Sequence, residues 1–146
     1  MTAQRPETIF IDGKAHSLLN LPLEKRFKRR HPRPPFRAPT TACRRGYFGI
    51  WAIENSRLYL IELEGNLRNG TRANLQTVFP DASGPVFADW FTGELRIPVG
   101  EMIRYVHMGF GSVFAAELLI TVERGAVTGR VVRTAEQEEA PPQGAK

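Results

Sequence analysis

The sequence predicts a mainly β domain, built as an antiparallel barrel or a two-sheet sandwich of hairpins with one short N-terminal helix. Alternating apolar residues flank tight-turn signals at Asn55-Ser56, Thr92-Gly93 and Arg124-Gly125, which is the pattern of antiparallel hairpins. Both faces of the 47–64 hairpin are apolar, so this pair is expected to be covered on two sides. That requirement favours a barrel or sandwich over an open sheet.

The length of 146 residues fits one domain. We expect residues 1–133 to form this domain and residues 134–146, which contain no large apolar side chain, to form a disordered tail. An Asp12-Gly13 turn predicts a further hairpin between 8–11 and 15–19, and Pro22 predicts the start of the short helix. Residues 75–79 are expected to form a short strand. Residues 100–108 fit a strand or a helix, and the strand is favoured because glycines and a proline flank so short a segment.

Composition excludes several classes of protein. The single cysteine, Cys43, rules out an intramolecular disulfide and a zinc site with two thiolates from one chain. No apolar run approaches membrane-spanning length, and the N-terminus lacks the apolar core of a signal peptide. We therefore expect a cytoplasmic protein with no membrane partner. No histidine has a second ligand at metal spacing, so neither a metal nor another cofactor is predicted.

The positive charge is concentrated in residues 25–45, named here the basic arm. This segment has nine basic residues and no acidic one, and because the whole chain has a net charge of +5, the remainder carries −4. Four prolines between 32 and 39 predict an extended conformation. The arm is a candidate contact for the phosphates of nucleic acid, with Phe27 and Phe36 as possible stacking groups. Its basic residues are Lys25, Arg26, Lys28, Arg29, Arg30, Arg33, Arg37, Arg44 and Arg45. The alternative interpretation is a solvated connector.

A 27-residue stretch, 86–112, contains the most distinctive surface. If Thr92-Gly93 is the turn of a hairpin, cross-strand counting places Val86, Ala88, Trp90, Leu95 and Ile97 on a core face. The opposite face, named here the mixed face, carries Phe87, Asp89, Phe91, Glu94 and Arg96, with Tyr105 and His107 beside it. We interpret the mixed face as a binding surface for an unknown protein or a small polar ligand. The alternative is an ordinary solvated face with an Asp89–Arg96 pair.

Several stretches resemble one group of proteins. They are LPLE at 21–24, RPPF at 33–36, TACRRGY at 41–47, FADWFTGELRIP at 87–98 and YVHMG at 105–109. Together they resemble a group of small, uncharacterised bacterial proteins of similar length, across most of residues 8–132. The resemblance implies a small bacterial single-domain protein and carries over no activity and no site residue.

Three function classes follow from these patterns. The favoured one is a non-enzymatic binding or interaction protein that uses the mixed face. The first alternative is a nucleic-acid accessory protein that uses the basic arm. The second alternative is a small hydrolase-like enzyme with a site formed by Cys43, Asp89, Glu94 and His107. In that enzyme, Arg44 and Arg45 would lower the pKa of the Cys43 thiol, and the two carboxylates would flank the substrate.

Overall fold

The computed structural model describes residues 5–38, 43, 45–99, 102–104, 113–114 and 116–134, with the backbone alone at 102–104, 113–114 and 134. Strands dominate this part of the chain. In order, the elements are β1 Glu7–Ile11, β2 Lys14–Leu18, a 3₁₀ helix Pro22–Arg26, β3 Tyr47–Glu54, β4 Arg57–Asn66, β5 Arg72–Ala73, α1 Leu75–Val78, β6 Val86–Phe87, β7 Gly93–Pro98, β8 Met102–Arg104, β9 Val113–Phe114, β10 Ala116–Glu123 and β11 Ala126–Thr134.

One nine-stranded sheet forms the framework. Its path is β2-β1-β3-β4-β11-β10-β7, β5 and β6 also pair with β4, and β8 and β9 form a separate two-stranded sheet. The path is not closed into a barrel, so the mainly β class is confirmed and the sandwich alternative is the one that fits. Its end strands, β2 and β7, approach each other where the Leu19 amide donates to the Arg96 carbonyl at 2.8 Å. The sheet is mixed, because β1 runs parallel to β3.

Three predicted hairpins are confirmed. In β3–β4, Glu54 lies opposite Arg57, and both Asn55 and Ser56 have φ in the left-handed region that a two-residue turn needs. Asp12-Gly13 joins β1 to β2 and Arg124-Gly125 joins β10 to β11 with similar positive φ angles. A register shift after Thr121 places Gly129 opposite Thr121, not opposite Ile120 as the sequence predicted.

The predicted hairpin at Thr92-Gly93 is wrong. β6 pairs with β4, and β7 pairs with β10, so the two segments never form a ladder with each other. The chain leaves β6 in a turn in which the Phe91 amide donates to the Ala88 carbonyl at 3.1 Å. This turn carries the Phe91 ring into the core, where it is 2% exposed. Burial of a large aromatic side chain thus outweighs the local hairpin signal.

Two further elements differ in type from the prediction. The predicted N-terminal helix is one 3₁₀ helix with Pro22 at its start. The segment predicted as a strand at 75–79 contains α1, because Asn74 caps it: the Asn74 side chain accepts from the Thr77 amide, and the Thr77 hydroxyl accepts from the Asn74 amide. Within 100–108 the described residues, 102–104, are a strand, and the predicted tail beyond Thr134 lies outside the described residues.

The core lies on one side of the β3–β4 hairpin only. Tyr47, Trp51, Leu58 and Leu60 face it and are fully buried. The opposite side of the hairpin, named here the outer face, stays partly exposed, which corrects the expectation of cover on two sides. A bulge makes Ile61 the extra residue of β4, because Trp51 lies opposite Leu60 while the preceding residue of β3 lies opposite Glu62.

Candidate binding surface

The mixed face does not exist as one surface. Phe91 is part of the core, and Lys25 Nζ lies 5.4 Å from the centre of its ring. Arg96 donates two hydrogen bonds of 2.7 Å, from Nε and Nη2, to the buried carboxylate of Glu117. Two of the five predicted residues therefore serve the internal structure.

The remaining residues of the mixed face are dispersed. Asp89 and Glu94 are exposed, and Phe87 packs on Tyr59 of β4 with 5.8 Å between ring centres. Tyr105 and His107 lie outside the described residues. Of the five residues, Phe87 alone pairs with the β3–β4 hairpin. The mixed face therefore does not form a single binding surface.

Cys43 is fully buried, and its thiol donates to the Tyr47 carbonyl at 3.6 Å. Asp89 and Glu94, in contrast, are on the surface. In the described ranges, no group of three His, Cys, Asp or Glu side chains is arranged to hold a metal ion. A catalytic cysteine stays a prediction that this burial disfavours, because nucleophilic thiols are at least partly accessible.

Four cations of the basic arm bind groups of the same chain. Arg45, with a side chain 3% exposed, donates from Nε to Glu7 Oε2 at 2.9 Å, and its guanidinium lies 4.8 Å from the centre of the Phe48 ring. Arg26 stacks on the Phe79 ring at 4.4 Å. The other two are Lys25 and Arg33. Arg44 lies outside the described residues. The nucleic-acid interpretation therefore retains four exposed cations for which the described residues provide no ion pair or ring contact: Lys28, Arg29, Arg30 and Arg37.

Glu7 organises the buried end of the arm. Its carboxylate accepts from Arg45 Nε, from the Gly49 amide at 3.0 Å and from Trp51 Nε1 at 2.8 Å. Gly49 is required there, because a Cβ atom would lie 2.7 Å from Glu7 Oε1. Burial raises the pKa of Glu7, while Arg45 and these hydrogen bonds oppose the shift. A signal for this role is present in the sequence. Glu7 lies two residues before Ile9 and four before Ile11, so alternation along the strand places it on their core-facing side.

The proline-rich part of the arm packs on aromatic rings. The Arg33 guanidinium lies 5.5 to 5.7 Å from the ring centres of Phe27, Phe36 and Tyr47, and it donates to Glu24 and to the Arg45 carbonyl. Tyr47 donates its hydroxyl to Glu24 Oε2 at 2.6 Å, and burial raises the Tyr47 pKa well above its ordinary value. Phe27 and Phe36 are therefore packing groups, not the stacking platforms predicted from the sequence.

The outer face has an apolar floor. Cross-strand neighbours form one row over five strands, in the order Ala15, Phe10, Ala52, Tyr59 and Phe87. Directly opposite residues of a sheet point to the same side, so these side chains share the outer face. With strands about 4.8 Å apart, the row is about 19 Å long. Phe10 is 38% exposed, a large value for a phenylalanine in the middle of a strand.

Four open clefts lie along this face. One of about 550 Å³ is bordered by Phe10, Ala52 and Ile61, with Asp12 and Glu54 at its rim. A neighbouring cleft of about 160 Å³ shares Ala52 and Ile61 and adds Tyr59 and Pro85. Ile61 borders both clefts, and the bulge after it places Glu62 on the outer face and Leu63 in the core.

The other two clefts lie at the opposite end of β3. They have volumes of about 300 and 160 Å³ and share Phe48 and Glu64. Arg5 borders the larger one and Arg72 the smaller one, and the Arg5 guanidinium lies 5.0 Å from the centre of the Phe48 ring. The outer face therefore combines an apolar half with a charged half. The sequence predicted an apolar second face of the β3–β4 hairpin but expected it to be covered, and it did not bring Phe10 or Phe87 to this face.

Comparison with protein-family models, curated proteins and solved structures yields no match. The resemblance to small bacterial proteins thus stays a prediction. Neither helix in the described part of the chain is long and apolar enough to cross a membrane.

Proposed function

We propose that this chain is a binding protein that receives a segment of another polypeptide on its outer face. The observation that carries the proposal is the position of two clefts over one partly exposed apolar floor, with two further clefts at the charged end of the same face. Single exposed apolar residues are ordinary on protein surfaces, but a contiguous row is typical of an interaction site. The favoured function class is thus kept, and its surface moves from the mixed face to the outer face.

The shape of the clefts supports a polypeptide over a small ligand. Small-molecule sites are concave and enclose most of their ligand, whereas these clefts are open along a strand of eight residues. That strand is roughly 26 Å long at 3.3 Å per residue, which matches an extended segment of similar length. Apolar side chains of the segment would lie on the Phe10–Ala52–Tyr59 floor, and charged ones beside Arg5, Glu64 and Arg72.

A displayed-peptide selection tests the proposal. Peptides that the protein enriches are synthesised, and their affinity is measured by fluorescence anisotropy against the F10K/I61K variant. We expect binding to weaken at least tenfold, because two charged side chains would occupy the apolar floor. V131K/V132K is the matched control, because it adds the same two charges at valines of β11 that are 58% and 54% exposed and border none of these clefts. Near-ultraviolet circular dichroism checks that each variant is folded. If no peptide is enriched, or if F10K/I61K binds as wild type does, the proposal fails.

A further inference from the structure

The basic arm forms part of a positively charged surface that is assembled from two distant segments and includes Arg72 of the outer face. Phe36 makes a β-bridge to Leu67, beyond the end of β4. The Arg37 amide donates to the Asn66 carbonyl at 2.7 Å, and the Arg68 amide donates to the Pro35 carbonyl at 2.9 Å. Residues 35–37 of the arm therefore lie beside the end of β4 like an additional short strand.

This packing brings three arginines together. Arg37 lies next to Asn66, and Asn66 lies opposite Arg72 of β5. Arg68 lies beside Pro35, two residues before Arg37 along the arm. The backbones of Arg37 and Arg72 are thus two strand spacings apart, which is about 10 Å. We name Arg37, Arg68 and Arg72 the arginine cluster, and all three side chains are exposed.

Within the described residues, the arginine cluster forms no ion pair with a carboxylate of the same chain. In the same ranges, no cation–π contact involves Arg37, Arg68 or Arg72. The same holds for the exposed turn 28–30, where Lys28 and His31 exchange backbone hydrogen bonds of 2.9 and 3.0 Å. One carboxylate, Glu64, shares a cleft with Arg72. Like charges held close together repel each other, so an anionic partner would relieve this repulsion.

We propose that the arginine cluster binds the phosphate backbone of a nucleic acid, with Lys28, Arg29 and Arg30 of the same basic arm as a further contact. Guanidinium groups match the geometry of phosphate oxygens, and the β-bridge holds the backbone beneath the cluster in place before binding. Phe27 and Phe36 are packed against Tyr47 and do not offer stacking surfaces. The contact is therefore electrostatic and independent of base sequence. The two proposals share Arg72, but the nucleic-acid proposal does not depend on polypeptide binding, and the loss of affinity in F10K/I61K is measured with peptides alone.

Anisotropy with a labelled duplex of mixed sequence tests the proposal over a series of salt concentrations. For wild type, the logarithm of the association constant should fall linearly with the logarithm of salt concentration. The R37Q/R68Q/R72Q variant should bind at least about tenfold more weakly at low salt, and its slope should be shallower by about 0.9 for each phosphate that it no longer neutralises. Glu64→Gln should bind more tightly than wild type, because it removes the carboxylate beside Arg72.

The matched control is K14Q/R124Q/R130Q, which changes the net charge equally at three exposed cations elsewhere. It should retain nearly all the affinity of wild type. Three outcomes would overturn the proposal. The first is no binding to the duplex at low salt. The second is an equal reduction of affinity in the control and cluster variants, which would indicate attraction by net charge alone. The third is binding to phosphatidylserine vesicles without binding to the duplex, which would make a membrane surface the partner.

Discussion

The basic arm contains two groups of cations that the sequence does not distinguish. Lys25, Arg26, Arg33 and Arg45 are held by acidic, carbonyl or aromatic groups of the same chain. Lys28, Arg29, Arg30 and Arg37 extend into solvent. The difference comes from what each cation meets in space: Arg45 meets Glu7, which is 38 positions away, and Arg26 meets Phe79 and Trp90. A basic run is therefore not one functional unit, because part of it fastens the fold and part is available to a partner.

Arg45→Met tests this difference most strongly. The substitution keeps most of the side-chain volume but leaves the buried Glu7 carboxylate without its cation. Breaking a buried ion pair in this way costs about 3 kcal/mol or more, so we expect the free energy of unfolding at pH 7.5 to fall by about that amount. Denaturant unfolding followed by tryptophan fluorescence measures it, since Trp51 donates to the same carboxylate.

The pH dependence of that destabilisation follows from the Glu7 pKa. Burial raises this pKa above its ordinary value of 4.5, so the folded state binds the proton more tightly than the unfolded state does. The contribution of Glu7 to stability is thus largest below pH 4.5 and declines as the pH rises through the raised pKa. Removal of Arg45 raises the pKa further. The destabilisation by Arg45→Met should therefore be larger at pH 7.5 than at pH 5, and an equal effect at both values would contradict the buried pair.

The success of sequence reasoning on the fold depended on local signals. The turns at Asp12-Gly13, Asn55-Ser56 and Arg124-Gly125 were predictable because each needs a backbone conformation that only a few residue types adopt readily. The hairpin at Thr92-Gly93 failed because Phe91 has a place in the core that local patterning does not reveal. The parallel pairing of β1 with β3 is likewise set by the whole sheet, since no local turn specifies it.

The candidate surfaces were less predictable than the fold. The apolar character of the β3–β4 side of the outer face was predicted from the sequence, but whether a second layer covers it, and that Phe10 and Phe87 join it, depend on the path of distant segments. Of the arginine cluster, the sequence indicated only Arg37, as part of the basic arm. Arg68 and Arg72 follow about 30 residues or more later and join Arg37 through backbone pairing beside Asn66. Both surfaces depend on long-range pairing, which alternation and composition do not encode.

The same contrast occurs outside the arm, on β7. Glu94 and Arg96 lie on this strand, but in the part of the chain that the structure describes only Arg96 makes an internal ion pair. Glu94 is exposed, whereas Arg96 holds a Glu117 carboxylate that is 1% exposed. Arg96→Met should destabilise the fold by about 2 kcal/mol, because it removes the charge-assisted hydrogen bonds to Glu117. Glu94→Ala should change the free energy of unfolding by less than about 0.5 kcal/mol. Thermal and denaturant unfolding of both variants measure the difference. Equal destabilisation by Arg96→Met and Glu94→Ala would contradict the internal role of Arg96 and indicate that both residues belong to an ordinary solvated face.

The smallest expected difference is between two arginines only three positions apart. Arg33 lies over the rings of Phe27, Phe36 and Tyr47 and binds Glu24, yet its side chain is 36% exposed, so screening reduces its contribution. Arg33→Met should lower the free energy of unfolding by about 1 kcal/mol, mainly because the guanidinium no longer packs on the rings. Arg30→Met should change it by less than about 0.5 kcal/mol, because Arg30 is exposed. Denaturant midpoints resolve the two variants, and a larger effect at Arg30 than at Arg33 would refute the division of the arm into cations that contact groups of the same chain and cations that do not.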